Sequence, residues 1–437
     1  MDFAPSPRAA DLADRVRAFI DTEVEPVEPG VLRDVAARRA RGEDAWPPAA
    51  VVEDLKGKAR AEGLWNLFLP AGHGDAYAAR FGTDGGAGLT NTDYAGIAEQ
   101  MGRSPLAPLV FNCNAPDTGN MEVLLTYGTR EQQEQWLEPL LDGRIRSAFL
   151  MTEPGVASSD ATNMRATATI QGDEVVVDGR KWWSTGAGHP DCRLGVFMGL
   201  TDPEAHRHRR HSMVLVPLDA PGVRVERMLT ALGQYDEPLG HGEVSLDAVR
   251  LPASNVLVGP GRAFEIAQGR LGPGRVHHCM RLVGLAEKAL ELACARSTSR
   301  VAFGKPIAEL GGNRERLARA RIAVNQARLL VLHAAWKLDT VGIAGAQSEV
   351  SEIKAVVPQM ACDVIDLAIQ LHGGGGMSED FPLAAAYAGA RSLRLADGPD
   401  EVHLGVVARH LLRPYAEAAT AASAAASTTT DAGEATR

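Results

Sequence analysis

The sequence predicts an α+β protein made of an N-terminal helical domain, a small central β-domain resembling a barrel or sandwich, and a C-terminal helix bundle. The period of apolar residues is helical at both ends of the chain and changes to strict alternation in the middle. With 437 residues, the chain is long enough for two or three domains with large cores. The predicted boundaries are 1–147, 148–259 and 260–415, followed by a tail at 416–437.

The N-terminal region reads as helices separated by Gly- and Pro-rich connections. Helical spacing is seen at Leu12, Val16 and Phe19. Residues 71–89 are dense in glycine and carry no period, which predicts a loop or lid. Thr90 and Asn91 then predict the start of a helix that runs to Gln100, because both residue types cap helix N-termini.

The central region has the period of β-strands. Apolar and polar residues alternate over 164–171, and Gly172-Asp173 separates them from Val175–Val177, which predicts a hairpin. Further short β-rich runs lie at 194–198, 213–218, 223–225 and 243–246. Six or so short strands at this spacing favour a small barrel or sandwich.

The C-terminal region returns to helical periodicity. Apolar residues mark three long helices around 282–293, 317–334 and 353–368, which predicts antiparallel neighbours in a bundle. From Ala416 the composition collapses to Ala, Ser and Thr, which predicts a disordered tail at 416–437.

Charge and composition exclude several classes of function. The net charge of -10 argues against nucleic acid as a partner, and no apolar run approaches the length of a membrane span. Residues 1–20 lack the apolar core of a secretory signal, and the five scattered cysteines form no C-x-x-C pair, so a cytoplasmic location is expected. No metal site is expected, because His206, His208 and His211 lie among arginines.

General catalytic motifs are missing from the sequence. It contains no G-x-S-x-G, H-E-x-x-H or P-loop motif, which argues against serine hydrolases, zinc proteases and P-loop nucleotidases. The glycines at 373–376 do not complete G-x-G-x-x-G and follow a predicted helix, so a Rossmann site is not expected.

Five ordered motifs resemble those of the acyl-CoA dehydrogenase family. They read F-L-M-T-E-P-G-V-A-S-S-D at 149–160, G-R-K-W-W-S-T-G at 179–186, R-V-A-F-G-K at 300–305, Q-L-H-G-G-G-G at 370–376 and L-A-D-G-P-D-E-V-H at 395–403. Segments 65–70, 115–122 and 269–281 are similar to the branch of family members 10 and 11. The resemblance covers roughly residues 11–412. It implies a central β-barrel-like domain, a C-terminal four-helix bundle and bound FAD.

The resemblance assigns the flavin ring to the first two motifs. Residues of the first motif would hold the ring, namely Phe149, Met151, Thr152, Ser158 and Ser159. Ser159 is also a candidate for contact with the thioester. Trp183 would pack against the flavin, while Ser184 or Thr185 would donate a hydrogen bond near its N5 atom. From the residues alone, these segments are an ordinary strand and turn.

The resemblance assigns the rest of FAD to later motifs. Arg300 matches the arginine that reaches the FAD pyrophosphate of a neighbouring subunit, with Phe303 in the same motif. Gln370, Gly373 and Gly374 match the segment that receives the adenosine part. Pro399, Asp400 and Glu401 match FAD contacts of the branch. Without the resemblance, Arg300 is a surface residue at a helix end and the glycines are a helix stop.

The resemblance implies α,β-dehydrogenation, in which a carboxylate removes a proton from Cα of an acyl-CoA thioester and a hydride passes from Cβ to flavin N5. The family usually places a Glu before Gly at this position, and Asp397 precedes Gly398 here. The backbone N–H of Asp397 would bind the thioester carbonyl, and Gly398 would leave room for it. From the residues alone, an acid in D-G-P is a turn residue.

Further substrate contacts are predicted at the start of a C-terminal helix. Gly272, Pro273, Gly274 and Arg275 are expected to open that helix, so that its backbone and the arginine meet a polar part of acyl-CoA. The alternative is a simple helix start with proline in the first turn.

The resemblance also implies partners and leaves alternatives open. An electron-transfer flavoprotein would accept the electrons in fatty acid β-oxidation, and a homodimer or homotetramer is expected. A second possibility is a 4-phosphorylated 4-hydroxyacyl-CoA, converted by elimination and rehydration, with its phosphate near Arg275 or loop cations. A third is a non-enzymatic, flavin-containing DNA-binding relative, against which the acidic charge argues.

Overall fold

The computed structural model describes residues 2–69 and 86–434, and its N-terminal part is helical. Its helices are α1 (Pro7–Phe19), α2 (Glu28–Ala40), α3 (Ala50–Ala61), α4 (Asn91–Met101), α5 (Ala107–Val110), α6 (Asp117–Tyr127), α7 (Arg130–Gln132) and α8 (Glu138–Leu141). The predicted start of α4 is confirmed, because the Thr90 side chain accepts a hydrogen bond from the backbone of Asp93 at 3.0 Å. Most of the predicted loop at 71–89 lies outside the described residues.

The central domain is a seven-stranded sheet. Its strands are β1 (Arg146–Leu150), β2 (Thr167–Gln171), β3 (Glu174–Thr185), β4 (Cys192–Leu200), β5 (His211–Pro217), β6 (Val223–Leu229) and β7 (His241–Pro252). The order is β1-β4-β2-β3-β7-β6, with β5 on β4. The predicted hairpin is confirmed, since Gln171 pairs with Glu174 across Gly172-Asp173. The sheet encloses its own apolar core, as expected of the predicted β-domain.

Four long helices form the C-terminal bundle, with α11 packed against the other three. The elements are α9 (Ala263–Ser299), β8 (Val301–Ala302), β9 (Lys305–Pro306), α10 (Asn313–Gly345), α11 (Gln347–His372), α12 (Leu383–Ser392) and α13 (Asp400–Glu434). Helix α10 is interrupted at Gly342, whose φ is +69°. None of the helices within the described part of the chain is long and apolar enough to span a membrane.

The structure differs from the sequence-based expectation at two helix ends. Helix α9 begins at Ala263, so the predicted helix start at 272–275 is wrong and these residues lie inside the helix. Upstream residues such as Ile266 and Ala267 are fully buried, and this packing outweighs the helix-breaking signal of the G-P-G sequence. Helix α13 continues through 416–434, where a disordered tail was expected. Alanine, which dominates this segment, has the highest helix propensity.

Candidate active site

The predicted base, Asp397, lies on a tight turn between α12 and α13. Both Asp397 and Gly398 adopt left-handed backbone conformations, with φ of +56° and +102°. Aspartate tolerates this region better than most residues. A Cβ atom at position 398 would lie 3.0 Å from Nε2 of His403, so the turn requires glycine there.

Side chains from three bundle helices hold this turn in place. Arg275 of α9 donates from Nε to the carbonyl oxygen of Asp397 at 3.0 Å. Nε2 of His403 lies 3.2 Å from the same oxygen. Lys354 of α11 is fully buried and donates to the carbonyls of Gly398, at 3.4 Å, and Leu393. Arg275, which was expected to face acyl-CoA, therefore uses one nitrogen to position the turn.

The surroundings of Asp397 favour its charged form. Its side chain is 19% exposed, and one carboxylate oxygen lies 3.4 Å from Nε2 of His278. Burial by itself would raise the pKa of Asp397, but nearby His278, Arg270, Arg275 and Lys354 together hold that pKa below its ordinary value. Burial lowers the pKa of His278 to about 4, so near neutral pH the two arginines and the lysine supply the positive charge. The carboxylate is thus anionic and able to accept a proton.

Arg270 is a site residue that the sequence did not single out, although it lies within the 269–281 segment. It is 9% exposed, and its guanidinium carbon lies 4.0 Å from the centre of the Phe149 ring. Its Nε donates to Asn120 on α6 at 3.0 Å. The absence of a side chain at Gly119 makes room for Arg270, since a Cβ there would lie 3.2 Å from it. Within the described residues, Arg270 forms no ion pair, although Asp397, Glu122 and Asp117 lie close enough to act on its charge.

The predicted flavin segments lie side by side at the ends of β1 and β3. Lys181 is fully buried and donates to the carbonyl of Met151 at 3.0 Å, while the backbone of Trp182 donates to the carbonyl of Thr152 at 2.9 Å. A β-bulge follows, because the register with β7 shifts between Lys181 and Ser184.

The two candidate hydrogen-bond donors near the flavin, Ser184 and Thr185, follow this bulge and differ in exposure. Trp183 has φ of +54° and is 39% exposed, and Thr185 is partly exposed. The hydroxyl of Ser184 is fully buried and has no hydrogen-bond partner among the described residues. Of the two candidates, Thr185 is therefore the one that shares an accessible position with Trp183.

The two serines of the first motif have different surroundings. The hydroxyl of Ser158 accepts a hydrogen bond from the backbone N–H of Glu153 at 2.9 Å and so closes the turn after Thr152. Ser159 is exposed and remains available to a ligand.

A second group of predicted residues lines a cavity of about 530 Å³ at the far end of α9. Arg300, Gln370, Gly373 and Gly374 meet there, together with Arg296 and Arg316, which the sequence did not identify. Cβ atoms added at Gly373 and Gly374 would meet nothing within 4 Å, so the backbone is open to a ligand. Arginines and accessible backbone suit phosphate groups. Phe303, 95% exposed at the turn between β8 and β9, lies outside the lining of this cavity.

The two groups of residues are far apart in one chain. Arg275 lies within α9 and Arg300 directly follows the last residue of that helix, 25 positions further on, which corresponds to about 38 Å at 1.5 Å per residue. An FAD molecule whose ring lies beside Asp397 cannot extend to Arg300 of the same chain. Of the remaining predicted contacts, Asp400 accepts a hydrogen bond from Arg394 at 2.7 Å, and Glu401 is exposed near the start of α13.

The residues present fit the parts of FAD. Trp183 and Thr185 offer an aromatic face and a hydroxyl for the ring, and the cavity at Arg300 offers cations and glycines for phosphates. A partly buried, ionised carboxylate, with Arg270 as a neighbour that it shares with Phe149, suits removal of a proton next to a carbonyl. Together with the helical, β and helical domain order, these features define the class of flavin-dependent oxidoreductases.

Comparison with known proteins identifies the family. Three family models match in order, namely the N-terminal domain of acyl-CoA dehydrogenase at residues 6–144, its middle domain at 148–249 and its C-terminal domain at 261–412. The chain therefore belongs to the acyl-CoA dehydrogenase family, whose fold binds FAD and whose members are oxidoreductases.

Similar proteins support the same conclusion. The chain is 52% identical to mouse acyl-CoA dehydrogenase family member 10 and 49% identical to mouse family member 11. These alignments cover 93% and 96% of the chain but 37% and 52% of the two relatives, so it spans roughly a third to a half of their length. It is 48% identical to the probable acyl-CoA dehydrogenase FadE2 of Mycobacterium tuberculosis, covering 94% of the chain and 96% of that protein.

A solved structure is also similar. A putative acyl-CoA dehydrogenase from Mycobacterium abscessus is 65% identical with a TM-score of 0.89, and the match covers 94% of this chain and all of that one.

Proposed function

We propose that this chain catalyses the FAD-dependent α,β-dehydrogenation of an acyl-CoA thioester, with Asp397 as the base. The observation that carries this proposal is the ionised carboxylate of Asp397 on a turn fixed by Arg275 and Lys354, in a protein of this family. A carboxylate that is held in place and largely removed from water is well suited to take a proton from Cα.

The other roles follow from the positions of the residues. Trp183 and Thr185, with the segment from Phe149 to Thr152, would hold the flavin ring. Gly398 would leave room for the thioester, and the backbone N–H of Asp397 would polarise its carbonyl group. When bound, FAD supplies the acceptor for the hydride that leaves Cβ. The protein contributes orientation, a base and the exclusion of water.

Anaerobic titration of the FAD-loaded protein with a panel of acyl-CoAs tests this function. We expect at least one chain length to bleach the oxidised flavin absorbance and to give the 2-enoyl-CoA product by mass spectrometry. If FAD is bound and no acyl-CoA of the panel bleaches its absorbance, the dehydrogenase proposal is contradicted.

Arg270 favours a second candidate substrate. Arg270 is buried, and carboxylates such as Asp397 act on its charge without forming an ion pair among the described residues, so a phosphate on the ligand would give it a direct partner. A 4-phosphorylated 4-hydroxyacyl-CoA, converted by elimination and rehydration, would supply it on the acyl chain. In that case the substrate would be consumed with release of inorganic phosphate and without net reduction of a dye acceptor.

The proposed partners follow from the same geometry. Since Arg300 cannot reach the ring site of its own chain, we propose that a second copy completes each FAD site in a homodimer or homotetramer. Electron-transfer flavoprotein as the acceptor and a cytoplasmic location are also proposals. Gel filtration that gives an FAD-loaded monomer would contradict the oligomer.

A further inference from the structure

Three side chains form a series of close polar contacts that begins beside Trp183. The Oγ1 atom of Thr185 lies 2.9 Å from Nδ1 of His241. The Nε2 atom of His241 lies 3.0 Å from a carboxylate oxygen of Asp236. Thr185 and His241 are direct cross-strand partners at the adjoining ends of β3 and β7, so strand pairing itself fixes the first contact.

The imidazole is largely enclosed by its surroundings. The side chain of His241 is 13% exposed, whereas that of Asp236 is 45% exposed. The Trp183 ring is tilted against His241, with ring centres 5.4 Å apart. Each nitrogen of the imidazole thus has one polar partner, and the Trp183 ring packs beside the imidazole.

The loop that carries Asp236 is anchored to the N-terminal domain. The backbone N–H of Gly240 donates to the carbonyl of Asp236 at 3.0 Å and closes the loop. On α2, Arg39 forms an ion pair with Glu237, and its guanidinium carbon lies 3.9 Å from the centre of the Tyr235 ring. These contacts on either side of Asp236 hold its carboxylate toward His241.

The partners determine which nitrogen of the His241 imidazole carries the proton. A carboxylate only accepts, so the proton of a neutral imidazole lies on Nε2, facing Asp236. Nδ1 then has only a lone pair and accepts the hydroxyl proton of Thr185. The Thr185 oxygen consequently has its lone pairs free for a ligand.

We propose that His241 and Asp236 are positioning residues that orient the Thr185 hydroxyl as a hydrogen-bond acceptor toward FAD. The inference rests on the FAD site proposed above. It also reverses the direction expected from the sequence, in which Thr185 donates to flavin N5. The N5 atom of reduced flavin carries a hydrogen, whereas the N5 atom of oxidised flavin has only a lone pair. An accepting hydroxyl therefore favours the reduced form and raises the reduction potential.

The test is a double-mutant cycle between His241 and Thr185, read out as the midpoint potential of the bound FAD. His241→Phe keeps a ring of similar size but frees the Thr185 hydroxyl to donate. We expect this variant to lose about tenfold in its preference for reduced over oxidised FAD, a shift of about 30 mV to more negative potential. In a Thr185→Val background, the same His241 substitution should shift the potential little, because no hydroxyl remains to be oriented.

Two further variants keep the proposal testable. Asp236→Ala leaves the imidazole free to change tautomer and should shift the potential in the same direction by less. Thr185→Ser retains a hydroxyl and should behave like the unaltered protein. If His241→Phe fails to fold, the Asp236→Ala and Thr185→Val pair completes the same cycle.

The outcomes separate this inference from the proposed reaction. The positioning role would be overturned if His241→Phe shifted the midpoint potential equally in the Thr185 and Thr185→Val backgrounds, or in neither. It would also be overturned if the chain bound no FAD. If the potentials shift as expected but no acyl-CoA bleaches the bound flavin, the positioning role is supported and only the dehydrogenase function is refuted.

Discussion

The Nε atom of Arg275 lies 3.0 Å from the carbonyl oxygen of Asp397 and joins two residues that are 122 positions apart. This contact ties the turn that carries the proposed base to helix α9 of the bundle. The carboxylate is thereby held by the bundle and does not depend on a free loop.

The first prediction concerns the base itself. Asp397→Asn should retain FAD but lower turnover with a dye acceptor by about 10²-fold or more, because the amide cannot accept the Cα proton. Asp363→Asn is the matched control, since Asp363 is exposed on α11 and, within the described part of the chain, its carboxylate accepts a hydrogen bond from Gln359 of the same helix. Full turnover of the Asp397 variant would reject the assignment.

The second prediction concerns selectivity for the acyl chain. Arg270→Met should raise KM for a 4-phosphorylated acyl-CoA by about tenfold or more, since a charged hydrogen bond contributes about 1.5–3 kcal/mol. The KM for straight-chain acyl-CoAs should change much less, because these substrates carry no phosphate for Arg270 to bind. Steady-state kinetics with both substrates checks this, and Arg319→Met, at an exposed site on α10, is the control. An equal loss for both substrates would indicate a purely structural role.

The third prediction concerns the buried ion pair beneath the flavin segments. Lys181 and Glu153 lie 2.7 Å apart and are 0% and 6% exposed. Lys181→Met should lower the free energy of unfolding by about 3–5 kcal/mol, because Glu153 is left buried without its cation. The double variant Lys181→Met with Glu153→Gln should recover part of that loss in urea unfolding. No recovery would mean that packing, and not charge, dominates the effect.

The fourth prediction concerns the distant cavity. Arg300→Ala should weaken FAD binding by about tenfold or more. Arg314→Ala, at an exposed position in the first turn of α10, should not weaken it. Titration of the apoprotein with FAD measures both. If Arg300 and Asp397 of one chain belong to two different FAD sites of the oligomer, a mixed oligomer of Arg300→Ala and Asp397→Asn chains contains one intact site. We therefore expect such mixed oligomers to recover activity.

The fifth prediction concerns acid stability. Burial lowers the pKa of His277 to about 3, against an ordinary value of 6.5. The unfolded chain therefore binds this proton between about pH 6.5 and pH 3 while the folded chain does not, so stability falls as the pH falls. His277→Gln should make that fall shallower by up to about 1.4 kcal/mol per pH unit in urea unfolding.

The control for acid stability is a surface histidine. His410→Gln, at an exposed position on α13, should leave the pH dependence unchanged. Glu122 acts in the opposite direction, because burial raises its pKa to about 8 and its contribution to stability falls as pH rises. Since this carboxyl is present in both variants, it does not affect their difference. If the free energy of unfolding depends on pH in the same way for His277→Gln and the unaltered chain, the lowered pKa of His277 is contradicted.

Local patterns were sufficient for much of the fold. The Gly172-Asp173 turn and the Thr90 cap were predicted correctly, because each depends on a few neighbouring residues. The start of α9 was not, since the G-P-G sequence at 272–274 signals a helix start locally, while buried residues upstream extend the helix towards the N-terminus. Local propensity loses to burial in such cases.

The amino-acid order by itself determined the domain sequence, the family motifs and the position of the carboxylate before Gly398, because these are read from spacing along the chain. Tertiary structure decided which residues surround that carboxylate and which hydroxyl near Trp183 is accessible. Arg270, Lys354 and His241 come from distant segments, and only folding brings their charges and hydrogen bonds within reach. Coulombic and hydrogen-bonding interactions depend on distance in space, which the spacing of residues in a sequence does not fix.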